Sequence, residues 1–417
     1  MYNGSDEFNT SMSSDTQIQI IPKELTVSDT TAANKVYDGN SMATISQENS
    51  VLVGILPGDT VTLDGTATGT FDSATIGTAK VVTLAGFTLA GASAGNYSLT
   101  QPTTTANITS KGNVIPLVVS PAAGESEVVI YKNTNQERAR LRPMGTWTGG
   151  IRSAVADVTG DGLADFLFAA GPGGGPRIVV LDGVSLKPVS SFFAYASSFR
   201  GGVYISAGDL DGDGVSEIVT GAGANGGPHV KSFNAFGVRV NPGFFAYAST
   251  FKGGVTVATG DLNQDGKAEI ITGTATNGGS HVRSFSANGT PGSLNFFAYS
   301  PYFMGGVNVG AGDLNGDGIC EVITGMGYGG SLAKVFDAKA NQLASINAFY
   351  SSFSGGITVA AIDPTNSGTF KMVVGPAKSA ANYPGSAAVL YGLNNGQFLF
   401  SSQIVAYKTF AGGIWLA

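Results

Sequence analysis

The chain of 417 residues has one cysteine, two histidines, two tryptophans and only 12% charged residues. A single cysteine excludes an intrachain disulfide, so a secreted fold of this size needs its cores or bound ions for cross-linking. Two histidines leave little of the side chain that most often serves acid–base catalysis. No run of 18 apolar residues occurs, which excludes a membrane-spanning helix. The net charge of −7, with no basic patch in either half, argues against a nucleic-acid partner. Residues 1–19 contain no apolar stretch of the signal-peptide kind, so an export signal is expected to be absent or already removed.

What the chain does have is glycine, 61 residues of it, and acids gathered into four nine-residue loops. These are Asp157 to Asp165 (DVTGDGLAD), Asp209 to Glu217 (DLDGDGVSE), Asp261 to Glu269 (DLNQDGKAE) and Asp313 to Glu321 (DLNGDGICE). From Val114 onward thirteen of nineteen acids lie in these loops, a crowding that costs repulsion unless a cation offsets it. Each loop offers side-chain oxygen at positions 1, 3, 5 and 9, and glycine at position 6 allows a sharp turn. Calcium takes six to eight oxygen ligands, so a short acidic loop of this kind suits it. The first six positions resemble an EF-hand loop, but the last acid falls at position 9 instead of 12 and no helical periodicity flanks it. Polar Asp/Asn/Gly turns between strands are the plainer reading, against which the fourfold recurrence in register counts.

The loops belong to a larger repeat. Gly-Gly pairs begin at Gly149, Gly201, Gly253, Gly305, Gly355 and Gly412, at intervals of 52, 52, 52, 50 and 57 residues. Within each interval come an alternating strand, the acidic loop, a second strand, a glycine-rich loop, a third strand and an aromatic fourth, as in Val203 to Tyr247. Four short strands per unit without an amphipathic helix predict a propeller blade. Leu117 to Thr148 aligns with strands two to four only, while Gly412 to Ala417 is a bare first strand. Closure of the first blade by the C-terminal strand is therefore expected, giving six blades with no open edge between first and last.

These repeats resemble the FG-GAP/VCBS family, the calcium-binding propeller repeats of integrin α subunits and bacterial extracellular proteins. The resemblance implies calcium in the loop between strands one and two, hence four Ca2+ sites. The implied ligands are Asp157, Thr159, Asp161, the Leu163 carbonyl and Asp165; Asp209, Asp211, Asp213, the Val215 carbonyl and Glu217; Asp261, Asn263, Asp265, the Lys267 carbonyl and Glu269; and Asp313, Asn315, Asp317, the Ile319 carbonyl and Glu321. Thr159 departs from the Asp/Asn pattern, and integrin propellers have seven blades, so the count of six rests on closure alone. The corresponding loop of the last full repeat, Asp363 to Lys371 (DPTNSGTFK), keeps one acid. Two readings stay open for it: decay, or occupation of the cation position by the Lys371 ammonium.

Ahead of the propeller, KVYDGN (Lys35 to Asn40), PGDTVTL (Pro57 to Leu63), GTFDS (Gly69 to Ser73) and AGNYSLT (Ala94 to Thr100) resemble the YDG-type domain of bacterial adhesins, a β module met as a stalk or spacer. The expected organisation is an N-terminal arm over 1–17, a small β-sandwich-like YDG-type domain over 18–112 and the propeller over 113–417. All of it is expected to be β. His229 and His281 occupy equivalent positions in neighbouring blades; a shared metal or acid–base task and simple strand-start packing are both open. Cys320 sits where sister loops carry Ala164, Ser216 and Ala268, which makes it a small filler. The functional expectation is a non-enzymatic, calcium-stabilised binding or adhesion module of a secreted or cell-surface bacterial protein, whose ligand is an extracellular protein or glycan. A surface-layer or filament subunit, which would self-assemble, is the first alternative. A carbohydrate-active propeller enzyme with a channel site is the second.

Overall fold

The computed structural model describes residues 21–36, 40–74, 77–109, 116–133, 136–363, 369–378, 387–394, 396–407 and 412–417. The expected N-terminal arm and the centre of KVYDGN, Tyr37 to Gly39, lie outside them. Two compact units divide the chain, with the break after Thr109.

The first unit is built from short strands. A five-stranded sheet is formed by Lys35–Val36, Thr103–Thr109, Gly77–Ala85, Thr68–Phe71 and Met42–Ala43, in that order across the sheet. Alternation puts Val82, Leu84, Phe71, Ala106 and Ile108 on its buried face and leaves threonines on the other. A three-stranded sheet of Tyr97–Leu99, Lys23–Ser28 and Val51–Val53 buries Leu25, which clusters with Val61 and Tyr97.

The second unit is the six-bladed propeller that the repeat spacing predicts. Its blades are six four-stranded antiparallel sheets, each meandering outward from an innermost strand. The innermost strands of blades two to six are Ile151–Ala156, Val203–Gly208, Val255–Gly260, Val307–Gly312 and Ile357–Ile362. In blade one that place is taken by Ile414–Leu416, which pairs antiparallel with Leu117–Pro121 in the register Val119↔Leu416 and Pro121↔Ile414. The same strand lies against the innermost strands of blades two and six, so it closes the ring.

Burial follows the pattern that predicts it. Second strands are buried along nearly their whole length, and Asp165–Ala170 and Glu217–Ala222 at every residue, because they sit between two strands and between two neighbouring blades. Outermost strands alternate toward solvent, as in Pro188–Phe193. In blades two to four the tyrosine ending the aromatic strand ties its blade to the next. Tyr195 OH donates to the His229 carbonyl and Tyr247 OH to the His281 carbonyl, both at 2.8 Å. Tyr407 of blade six likewise donates to the Val119 and Glu127 carbonyls of blade one, sealing the junction. Close blade approach also explains the Gly-Gly pairs. At Gly254, with φ of +85°, an added Cβ would lie 2.6 Å from the Gly223 carbonyl carbon of the preceding blade.

The fourth strand of blade three is shorter than the sequence predicts, only Phe244–Phe245. Asn241-Pro242-Gly243 precedes it, and proline there cannot donate to a sheet ladder.

Candidate functional site: the acidic loops

All four acidic loops leave the blade through one register. Ala156 pairs with Asp165, Gly208 with Glu217, Gly260 with Glu269 and Gly312 with Glu321, so position 9 opens the second strand opposite the residue before position 1. The neck thus turns the position 9 carboxylate beneath the loop. Asp165, Glu217 and Glu321 are buried, and Glu269 is partly so.

Backbone amides organise the acids. In blade three, Gly212 N–H and Gly214 N–H donate to the two oxygens of Asp209 at 2.6 and 2.8 Å. Blades two, four and five repeat this at Asp157, Asp261 and Asp313. The position 6 glycines 162, 214, 266 and 318 all have φ between +78° and +88°, the left-handed turn that brings their amides to the position 1 carboxylate. Position 7 amides donate to the position 5 carboxylates, for example Val215 to Asp213 at 2.8 Å. Position 2 amides donate to the position 9 carboxylates, as Leu210 does to Glu217 at 2.9 Å and Leu314 to Glu321 at 2.8 Å.

The loops differ at position 3. In blade three, oxygens of Asp209, Asp211 and Glu217 all lie within 4.8 Å of one another, the single such group of three acidic, histidine or cysteine side chains among the described residues. Asp213 is not part of that group. In blades four and five, Asn263 and Asn315 stand in place of the position 3 acid and donate to Glu269 and Glu321 at 2.9 and 2.8 Å. In blade two, Thr159 Oγ1 donates to Asp165 at 3.0 Å.

Burial, with the neighbouring acids adding to it, pushes the Glu217 carboxyl up to about 7. Glu321 is pushed up to about 7 for the same reasons, and Asp157, Asp165 and Glu269 also rise, chiefly through burial. Such carboxyls, held together and half desolvated, favour either a proton or a hard cation.

Neighbouring loops are wired together, which the sequence did not reveal. The position 8 amide of each loop donates to the position 1 carbonyl of the loop before it: Ser216 to Asp157 at 2.8 Å, Ala268 to Asp209 at 2.6 Å, Cys320 to Asp261 at 2.8 Å and Phe370 to Asp313 at 2.7 Å. Gln264 Nε2 adds a bond to the Asp317 carbonyl at 2.7 Å. The only sequence signal was a small or apolar residue at position 8, which the tight junction requires. Cys320 fits that filler role, with burial pushing its thiol up to about 12.

The fifth loop and the histidines sit apart from this pattern. Residues 364–368 lie outside the described ones; Asp363 is buried, and Lys371 Nζ donates to Ser401 Oγ at 3.1 Å. His229 stacks on Phe245 and His281 on Phe297, both at 4.8 Å between centroids. His281 Nε2 is also 2.7 Å from Asn295 Oδ1. Each imidazole is therefore engaged with the outer strand of its own blade.

Known proteins place these features. Family models match a YDG domain over residues 21–106, an FG-GAP-like repeat over 157–220 and an FG-GAP repeat over 253–284. No curated protein matches the chain. Similar solved structures include a protein of unknown function from Bacteroides caccae, 14% identical, covering 58% of this chain and 73% of that one at a TM-score of 0.36. The Dos1 propeller is 14% identical, with coverage of 83% and 84% and a TM-score of 0.39. The exotype rhamnogalacturonan lyase YesX is 12% identical, with coverage of 92% and 73% and a TM-score of 0.32. The chain thus carries a YDG domain followed by FG-GAP-like repeats, and acidic loops of the propeller lie within the matched repeats.

Proposed function

We propose that this protein is a calcium-stabilised binding or adhesion module that works at the cell surface or after secretion. The observation that carries the reading is the convergence of Asp209, Asp211 and Glu217 oxygens within 4.8 Å in a loop whose architecture recurs in three further blades. The donor set is all oxygen and mostly anionic, which fits calcium and does not suit softer metals. In each loop the side chains at positions 1, 3, 5 and 9 and the carbonyl at position 7 would hold the ion, for four ions in all. Bound calcium would neutralise the crowded carboxylates and fasten the neck of each inner hairpin. The YDG domain over about 18–112 then serves as a stalk or spacer, and the propeller over 113–417 presents the binding face. That face is assigned to the loops opposite the acidic ones, where they are rich in glycine and offer shape more than charge.

A calorimetric calcium titration tests the metal half of this reading, with four ions per chain expected and none bound overturning it. A glycan and matrix-protein array probed with and without calcium tests the other half. Calcium-dependent retention of one ligand class is expected; retention of none, with the four ions bound, would leave a structural subunit as the better description.

A further inference from the structure

The second residue of each innermost strand forms a ring around the propeller axis, near the end away from the acidic loops: Arg152, Tyr204, Thr256, Asn308, Thr358 and Trp415. Half of the ring is occupied with its own structure. Thr256 Oγ1 donates to the Val307 carbonyl at 2.8 Å, Asn308 Nδ2 to the Ile357 carbonyl at 2.7 Å and Thr358 Oγ1 to the Ile414 carbonyl at 2.9 Å, each binding the next blade.

The other half is different. Tyr204 of blade three and Trp415 of blade one come within 5.7 Å of each other although blade two separates them, so their rings meet over the axis. Between them sits the Arg152 guanidinium, 3.6 Å from the Tyr204 ring centroid and 4.9 Å from that of Trp415. Arg152 is only 5% exposed, and its Nε and Nη1 have no hydrogen-bond partner among the described residues. Among the described residues no carboxylate pairs with it. Cation–π contact with two rings offsets only part of the cost of desolvating a guanidinium, and burial accordingly lowers its affinity for the proton. An unpaired buried cation at the meeting point of six blades calls for an anion.

We propose that the propeller axis at Arg152 is a binding site for a small carboxylate. The aromatic rings cover the guanidinium faces and leave its N–H groups for the ligand; Nε and Nη1 each share an edge with Nη2, and either edge matches a planar carboxylate through two parallel hydrogen bonds. A phosphate dianion would call for a second cation, and the ring has Arg152 alone. Tyr204 and Trp415 are both partly exposed, so the route to Arg152 in this proposal runs past their rings.

The site carries its own reporter in Trp415. Sodium acetate is titrated into the full chain in chloride at constant ionic strength, with indole fluorescence as the signal and acetamide, the neutral isostere, as control. A saturable response to acetate and none to acetamide is expected, and it persists in Trp147→Phe, which leaves Trp415 as the sole indole. Arg152→Gln should weaken acetate at least about tenfold, as loss of charge-assisted hydrogen bonds implies, and Arg152→Lys should bind between the two. Equal responses to acetate and acetamide, an acetate response that does not saturate, one unchanged in folded Arg152→Gln, or saturation by inorganic phosphate in place of acetate would each overturn the assignment. Should Arg152→Gln fail to fold, the acetate–acetamide comparison on the native chain decides alone.

Discussion

Replacing Asp209 with alanine separates what the acidic loop does as a turn from what it does as a cation site. The side chain accepts the Gly212 and Gly214 amides and stands in the group with Asp211 and Glu217. Without calcium, its removal loses two hydrogen bonds in a largely solvent-exposed loop, about 1 kcal/mol each, and relieves some repulsion, for a net cost of about 1 kcal/mol. With calcium at a hundred times the dissociation constant, the lost site costs about 2.7 kcal/mol more by mass action. At roughly 2 to 4 °C per kcal/mol, the propeller melt should fall by about 3 °C in chelator and by about 10 °C in calcium. Scanning calorimetry in both conditions measures the difference, and calcium titration should give three ions in place of four. Asp363→Ala, in the loop that keeps one acid, should leave the stoichiometry unchanged. Equal destabilisation with and without calcium would show Asp209 to be a turn-former only and would refute the cation site.

The raised Glu217 and Glu321 carboxyls give a pH test, because folding lifts them from the usual carboxylate range to about 7. Their contribution is favourable below about pH 4.5 and is lost as pH rises through 7, so the chelated propeller should melt lower at pH 8 than at pH 5.5; calcium should reverse the trend by binding the deprotonated loops, and parallel trends would count against it. Tyr407→Phe removes the donor to two buried carbonyls across the junction of blades six and one. A loss of about 1 to 3 kcal/mol in denaturant titration is expected, and no measurable loss would mean the junction is held by packing alone. Truncation after Gly413 removes the innermost strand of blade one and exposes the edge of Leu117–Pro121. It should broaden the propeller transition and promote self-association in light scattering, whereas an unchanged monomer with a sharp melt would show that closure is dispensable.

The sequence by itself determined the architecture because its signals are local and repeated. Strand alternation, Gly-Gly pairs and acidic loops recur at near-constant spacing, and the incomplete first unit with the orphan GGIWLA strand sufficed to specify six blades and their closure. It also picked out the four loops, since position 6 glycine and the acids around it act within nine residues. The tertiary structure decided what depends on contacts between blades. The position 8 to position 1 bonds join residues more than fifty positions apart and use backbone groups, which leave no side-chain signature. Which acids converge was likewise hidden: Asp211 joins Asp209 and Glu217 while Asp213 does not, a matter of how the loop folds back over its neck. Nothing in the linear pattern sets Arg152 apart from the other strand residues. Only closure of the ring brings Tyr204 and Trp415 over its guanidinium, because residues 263 positions apart share an axis that no linear pattern encodes.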